Sequence, residues 1–499
     1  MAERPLPHAR AARWLHAGWP VITVLYLALF LPIFRPQVSI IDPVGYYSWA
    51  RSILIDRDLD TSNEYAHYGM AHIGPRTPTG YMHNQWASGS ALLWLPAMGL
   101  AHGGVSLARA LGATLPADGY SWPYVWAAAL TSTLFGLGAL LLAHRLALHL
   151  FGAGPALLAT LTIWLATPFV YYQYQQPLMS HANTAFLSAL LLYLWWRAHR
   201  HGRPPVEQFA LGLIVGLAVW VRTEDLILLG LLGLELGIDW VREARERGPL
   251  PALRAAFARG LPILAGFALI FLPLIIFRRV VYGGWVLNTY AGSGGGTVSA
   301  PGVRVLRILF SSNRGLFVWA PITLPAICGL AAAWRTQRRL ALFLAGWLLI
   351  VWAMLSIWSG WSGGDAFGPR HWVRFTPAFI LGLAALIQRI LARRPRALPA
   401  ISLAAGLVIA WNLALMAQYA LGFVAPSGRV DLLEMVRNQW RVIPAAAEQL
   451  AAGAFSRGDR AQHHDRRTMA HGRGQPGAGR ARPPRFNPHR RAPAGERLS

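Results

Sequence analysis

About eleven stretches of this chain are apolar for long enough to cross a lipid bilayer, and no soluble fold accommodates that many. They are 19–35, 123–144, 154–171, 182–197, 207–222, 224–240, 260–278, 315–333, 340–358, 375–391 and 400–424. Composition agrees. Of 499 residues, 55% are hydrophobic and 13% charged, whereas soluble domains carry about 25% charged residues. The expected fold class is an all-α polytopic membrane protein. The stretch 89–102 is apolar but short, and reads either as a further span or as a helix lying in the membrane interface.

Arginine sets the expected orientation. The formal net charge is +25 and the chain has no lysine. With the N-terminus in the cytoplasm, the inner loops hold Arg197, Arg200 and Arg203, then Arg242, Arg245 and Arg247, then Arg335, Arg338 and Arg339, then Arg393, Arg394 and Arg396. This bias requires that 89–102 does not span. Arg278, Arg279, Arg304, Arg307 and Arg314 run against it, in a predicted outer segment. Arg4, Arg10 and Arg13 precede the first apolar run with no small-residue cleavage site after it, which reads as an uncleaved signal anchor in the cytoplasmic membrane.

The expected organisation is a basic cytoplasmic N-terminus at 1–18, a transmembrane domain at 19–440 and a C-terminal extension at 441–499. From about Ser456 the extension is rich in Arg, His, Pro and Gly, a composition that predicts disorder. Three long segments fall on the outer side: 36–122, 279–314 and 359–374. The first is rich in Tyr, Trp, His and Asp and is expected to contain interfacial helices; the second contains Ser293-Gly294-Gly295-Gly296, read as a hinge or lid.

Several functions are excluded or disfavoured. Cys328 is the only cysteine, so an internal disulfide and a cysteine zinc cluster are out. No P-loop, GxGxxG after a strand, HExxH or GxSxG occurs. The positive charge lies in the tail and short loops, which argues against nucleic acid as a partner.

The first outer loop carries the best candidate residues. Asp42, in Ile41-Asp42-Pro43-Val44-Gly45-Tyr46-Tyr47, follows the first span closely. A carboxylate there serves either as a helix cap or as a partly desolvated base. Asp56-Arg57-Asp58-Leu59-Asp60 and Asn63-Glu64-Tyr65 offer oxygen ligands for sugar hydroxyls, and permit a divalent cation without requiring one. Tyr81-Met82-His83-Asn84-Gln85-Trp86 suits either interfacial anchoring or a substrate wall. Tyr171, Tyr172, Tyr174, Ser180 and His181 raise the same choice at another span. Arg222-Thr223-Glu224-Asp225 reads first as mutual pairing between two spans. In Gly363 to Arg374, glycines let a ligand approach the backbone, and Arg370, His371 and Arg374 suit a phosphate.

These residues resemble those of the bacterial GT-C fold glycosyltransferases, the superfamily of protein mannosyltransferases and aminoarabinose transferases. The resemblance rests on Asp42 with Tyr46-Tyr47, on the Arg51-Ser52 to Glu64-Tyr65 segment, and on Gly363 to Arg374, and covers 19–440 in architecture. It implies a polyprenyl-phosphate-linked sugar as donor, a lipid, glycan or protein hydroxyl as acceptor, and chemistry on the outer face. It implies an acidic catalytic residue, Asp42, and substrate contacts from Tyr46, Tyr47, Asp58, Asp60, Glu64, His83 and Trp86. Where the family often has an acidic pair this chain has Asp42-Pro43, so the second carboxylate stays open among Asp58, Asp60 and Glu64, or is absent. A transporter or lipid flippase is the competing class; it commonly shows paired broken helices in repeated halves, which are not seen here.

Overall fold

The computed structural model describes residues 18–38, 40–70, 74–290, 297–298, 300 and 302–451, with side chains through 445. The basic residues 1–17, the Ser293–Gly296 stretch and the tail from 456 lie outside the described residues. Among those described, the chain is helical throughout, with isolated bridges but no strand. The all-α expectation is met.

The helices, in chain order, are α1 (Trp19–Ile33), α2 (Ile41–Arg51), α3 (Ser62–His67), α4 (Gly89–Ala110), α5 (Trp122–Phe151), α6 (Ala153–Leu165), α7 (Phe169–Tyr174), α8 (His181–Arg200) and α9 (Pro205–Val221). There follow α10 (Ile227–Arg247), α11 (Pro249–Tyr282), α12 (Arg304–Phe310), α13 (Leu316–Trp319), α14 (Thr323–Ala333), α15 (Arg338–Ile357), α16 (Thr376–Arg393), α17 (Leu398–Ala420) and α18 (Leu432–Ala451). Proline sits in the first turn of α1, α5, α9, α11, α16 and α17, where its missing N–H costs no hydrogen bond. Gly283 ends α11 at a φ of 73°, the left-handed stop that a side chain resists.

Among the described residues, six helices are long and apolar enough to cross a membrane, and four apolar helices are shorter. The apolar surface is itself diagnostic. In α11 only 22% of the most apolar stretch is buried inside the protein, and Leu261, Leu264, Leu269, Leu272 and Ile276 point outward. Such a face is stable against lipid and not against water. Two expected spans are broken. The 154–171 run divides into α6 and α7 near Pro168, and the Asn412 amide donates to the freed carbonyls of Leu165 and Thr167. The 315–333 run divides into α13 and α14 before Pro321.

The stretch at 89–102 needs correction. It is not a short segment but part of α4, a helix of 22 residues with Pro96 inside it. The Trp94 indole donates to Ser132 Oγ at 2.8 Å, and His102 Nδ1 lies 2.8 Å from Tyr124 Oη. These pairs set α4 antiparallel to the N-terminal half of α5. Gly89 touches the backbone of Trp220 and Val221, at the C-terminal end of α9.

Close helix crossings hold the bundle. A Cβ on Gly212 would lie 2.0 Å from the Ile263 carbonyl oxygen, and one on Gly266 would lie 2.1 Å from that of Phe209, so α9 and α11 meet backbone to backbone. α14 and α16 do the same through Gly329 and Gly382. Small residues at such crossings let dispersion replace the hydrophobic effect that lipid removes. Gly382→Val would drive a side chain onto the Ala326 carbonyl, 2.1 Å from its Cβ. It should cost on the order of 3 kcal/mol, read as a lower thermal unfolding midpoint in detergent. Gly406→Val, with nothing within 4 Å of the new Cβ, is the control that should leave the midpoint unchanged.

Candidate active site

The first outer segment folds into α2, α3 and the loop that follows them, and Asp42 lies in the first turn of α2. A carboxylate is favoured there by the helix dipole. It does not cap the helix: the cap position is Ile40, and no side chain makes a capping bond. Instead Asp42 Oδ2 accepts a hydrogen bond from Arg370 Nη1, across 328 positions of sequence. Both side chains remain partly open to the outside, at 20% and 15% exposure.

The loop that delivers Arg370 is built for close approach. Gly363 has a φ of 81°, and a Cβ there would lie 2.7 Å from Arg370 Nε. The arginine side chain therefore lies directly over that glycine. Residues Arg370–Phe375 then form a 3-10 turn that runs straight into α16.

Around this pair the helix ends contribute more charge. Arg222, just past α9, donates from Nε and Nη2 to Glu224 Oε1 at 2.9 and 2.7 Å. Its Nη2 lies 3.2 Å from His371 Nδ1, and its Nη1 lies 3.4 Å from His181 Nδ1. Ser180 Oγ donates to the Tyr46 hydroxyl at 3.1 Å. Arg374 donates to Glu224 Oε1 at 2.6 Å and to Asp225 Oδ1. Three arginines thus share three carboxylates: Asp42, Glu224 and Asp225.

The members differ in availability. Arg374 is 2% exposed and held by two carboxylates, so it is committed to the framework. Arg370 and Arg222 are more open. Among the described residues, buried His371 Nε2, Arg370 Nε and Arg374 Nε have no hydrogen-bond partner. Buried polar atoms of that kind are normally satisfied. The structure brings Arg370, His371 and Arg374, the set expected from sequence, together with Arg222. Arg222 and Glu224 read in sequence as a local pair. Their one legible signal is position: like Ser180-His181 and Arg370-His371, they stand where an apolar run ends.

Of the expected substrate contacts, only Tyr46 joins this cluster. Tyr47 is fully buried and its hydroxyl donates to the Gly119 carbonyl at 2.6 Å. Trp86 lies against Gly45, and its carbonyl accepts the Trp49 indole N–H at 2.8 Å. Both residues seat α2, and neither side chain is free to wall a sugar. His83 is half-buried and meets Tyr282 edge-on, and burial lowers its pKa.

The acidic turn forms a separate structure. Asp58 accepts from Ser52 Oγ at 2.7 Å, and Asp60 accepts from Ser62 Oγ and the Met82 N–H. Asp56 and Glu64 share Arg51, whose guanidinium lies over the Tyr120 ring. Among the described residues, no group of three or more His, Cys, Asp or Glu side chains is gathered to hold a metal ion. The carboxylates gathered with Asp42 in the arginine cluster are Glu224 and Asp225, while Asp58, Asp60 and Glu64 lie in this separate turn.

No protein family model matches the chain, and no curated protein matches it. Solved structures do. ArnT from Cupriavidus metallidurans, in the apo state and bound to undecaprenyl phosphate, is similar at a TM-score of 0.50 and 17% identity, covering 83% of this chain and 66% of that chain. This chain thus spans 66% of the length of ArnT. The apo oligosaccharyltransferase of Archaeoglobus fulgidus gives a TM-score of 0.48 and 12% identity, covering 85% of this chain and 56% of that one. The likeness to ArnT bears out a GT-C-like polytopic membrane fold.

Burial pushes Glu64 up to about 7 even with Arg51 2.7 Å away. The native state then holds a proton that the unfolded chain, with an ordinary carboxyl near 4.5, has released. Stability contributed by this group is present below about pH 4.5 and is lost as pH rises to about 7, on the order of 3 kcal/mol in all. Glu64→Gln should flatten the fall in detergent unfolding midpoint between acid and neutral pH; an unchanged slope contradicts the assignment.

Proposed function

We propose that the chain is a membrane glycosyltransferase that moves a sugar from a polyprenyl-phosphate donor to an acceptor hydroxyl. The observation that carries the reading is the meeting of Asp42 and Arg370 inside the arginine–histidine cluster. A base and a phosphate-binding cation stand side by side, as displacement at a sugar carbon attached to phosphate requires. The undecaprenyl phosphate bound in the similar ArnT structure supports a polyprenyl-phosphate-linked donor. The inner membrane with an outward-facing site is part of the same proposal; the arginine bias supports it if α4, although long enough to cross, lies along the membrane.

In the reaction, the acceptor oxygen attacks the anomeric carbon and loses its proton to the Asp42 carboxylate. The bond from that carbon to the phosphate oxygen breaks, and the lipid phosphate leaves with the electron pair. Attack opposite the leaving group inverts the anomeric centre. Arg370 has two successive partners in this scheme. In the empty site it holds Asp42. A lipid phosphate competes for the guanidinium, which frees the carboxylate to act as a base only once donor is bound. Arg222 and His371 complete the grip on the leaving phosphate.

Two measurements test this. Asp42→Asn should abolish transfer from a radiolabelled polyprenyl-phosphate sugar while leaving membrane insertion intact; an active variant removes the base. If the wild-type chain moves the labelled lipid between leaflets without transferring its sugar, the flippase class replaces the enzyme. Arg222→Gln should weaken binding of a polyprenyl monophosphate by about tenfold or more, as loss of a charged hydrogen bond does. Unchanged affinity in detergent takes Arg222 out of the phosphate grip.

A further inference from the structure

Arg314 is a buried arginine outside the cluster whose hydrogen bonds converge on the glycine-rich loop that leads to Arg370. Its residue is 2% exposed. Nε donates to the Ala366 carbonyl at 3.0 Å. Nη1 donates to the Gly428 carbonyl at 2.9 Å and to Asn313 Oδ1 at 3.2 Å. Nη2 donates to the Ala425 carbonyl at 3.0 Å and to that of Pro426. It makes no ion pair within 4.0 Å among the described residues, and its hydrogen bonds go to backbone carbonyls and the Asn313 amide.

What it joins is informative. Ala366 belongs to the glycine-rich loop that ends at Arg370, and its N–H donates to the Pro426 carbonyl at 3.2 Å. On the other flank, the Tyr172 hydroxyl donates to the Phe367 carbonyl at 3.1 Å. The segment 425–428 lies between α17 and α18, far from the loop in sequence. Gly363, Gly364 and Gly368 all have positive φ, so the loop backbone has little stiffness of its own. The turn into α16 anchors the Arg370 backbone from its C-terminal side, and the tie at Ala366 anchors the loop that leads into it and over which the Arg370 side chain lies. Arg314 itself adopts a φ of 60°, an unfavourable conformation for a residue with a side chain.

We propose that Arg314 is a positioning residue for the phosphate-binding loop, clamping 363–370 to the 425–428 strap so that Arg370 and Asp42 meet. The role depends on the planar fork, whose five donors reach several carbonyls at once, as a lysine ammonium cannot. The proposal rests on the reading of Arg370 as a ligand of the lipid phosphate.

The test uses the full chain in detergent, with a polyprenyl monophosphate as probe. Arg314→Lys keeps the charge and most of the packing. It should stay monodisperse and bind the probe about tenfold more weakly, the loss expected when one strong contact is misplaced. Arg314→Ala should also bind weakly, and added guanidinium should restore binding where methylammonium does not. A purely structural arginine would give no such selective rescue, since guanidinium otherwise destabilises. Wild-type affinity in Arg314→Lys, or a folded Arg314→Ala that guanidinium fails to restore, overturns the clamp. If Arg314→Ala does not fold, Arg314→Lys alone decides. If wild-type protein does not bind the probe, the phosphate reading fails, and the clamp is then judged by amide exchange at 366–370. About tenfold faster exchange in Arg314→Lys supports it, and unchanged exchange refutes it.

Discussion

Charges placed where apolar helices end must neutralise one another, and the site is organised by that demand. Arg222, Arg370 and Arg374 face Asp42, Glu224 and Asp225. Removing one partner from a buried set of this kind strands the other at a cost of about 3–5 kcal/mol. The helices that carry these residues are therefore held in mutual register by electrostatics as well as by packing. Arg374 is held by two carboxylates and almost fully buried, whereas Arg370 pairs with Asp42 alone and is more exposed.

Much of the fold was legible because lipid imposes a simple rule. Apolar runs of sufficient length become helices: the expected runs at 123–144 and 182–197 fall within α5 and α8, and those at 340–358 and 375–391 match α15 and α16 but for one residue at one end. The stretch at 89–102 was read too short because His102, Gly103 and Gly104 interrupt the apolar character where the helix continues. Its continuation to Ala110 comes with specific contacts along α5, which no local pattern announces.

The site was legible in part, for a related reason. Asp42 and Arg370 stood out because each is an ionisable residue beside a turn at the end of a span. That they would touch could not be read from two loops so far apart. Arg222 and Glu224 looked self-sufficient, since a local pair satisfies both. Only the tertiary arrangement shows Glu224 also serving Arg374, and Arg222 reaching His371. Tyr47 and Trp86 misled in the opposite direction. Aromatics beside a candidate base suggest a sugar wall, but these two are consumed in seating α2.

The backbone contact between Gly329 and Gly382 has a consequence for the two sides of the charged cluster. α16 begins directly after the turn that carries Arg370, His371 and Arg374, and it meets α14 backbone to backbone. α2, which carries Asp42, is held instead through side chains: Tyr47 on Gly119, Trp49 on the Trp86 carbonyl, Asn84 on the Gly45 carbonyl. The arginine side of the cluster is thus seated by main-chain contact and the Asp42 side by side-chain hydrogen bonds, so single side-chain substitutions reach the seating of the second far more directly than that of the first.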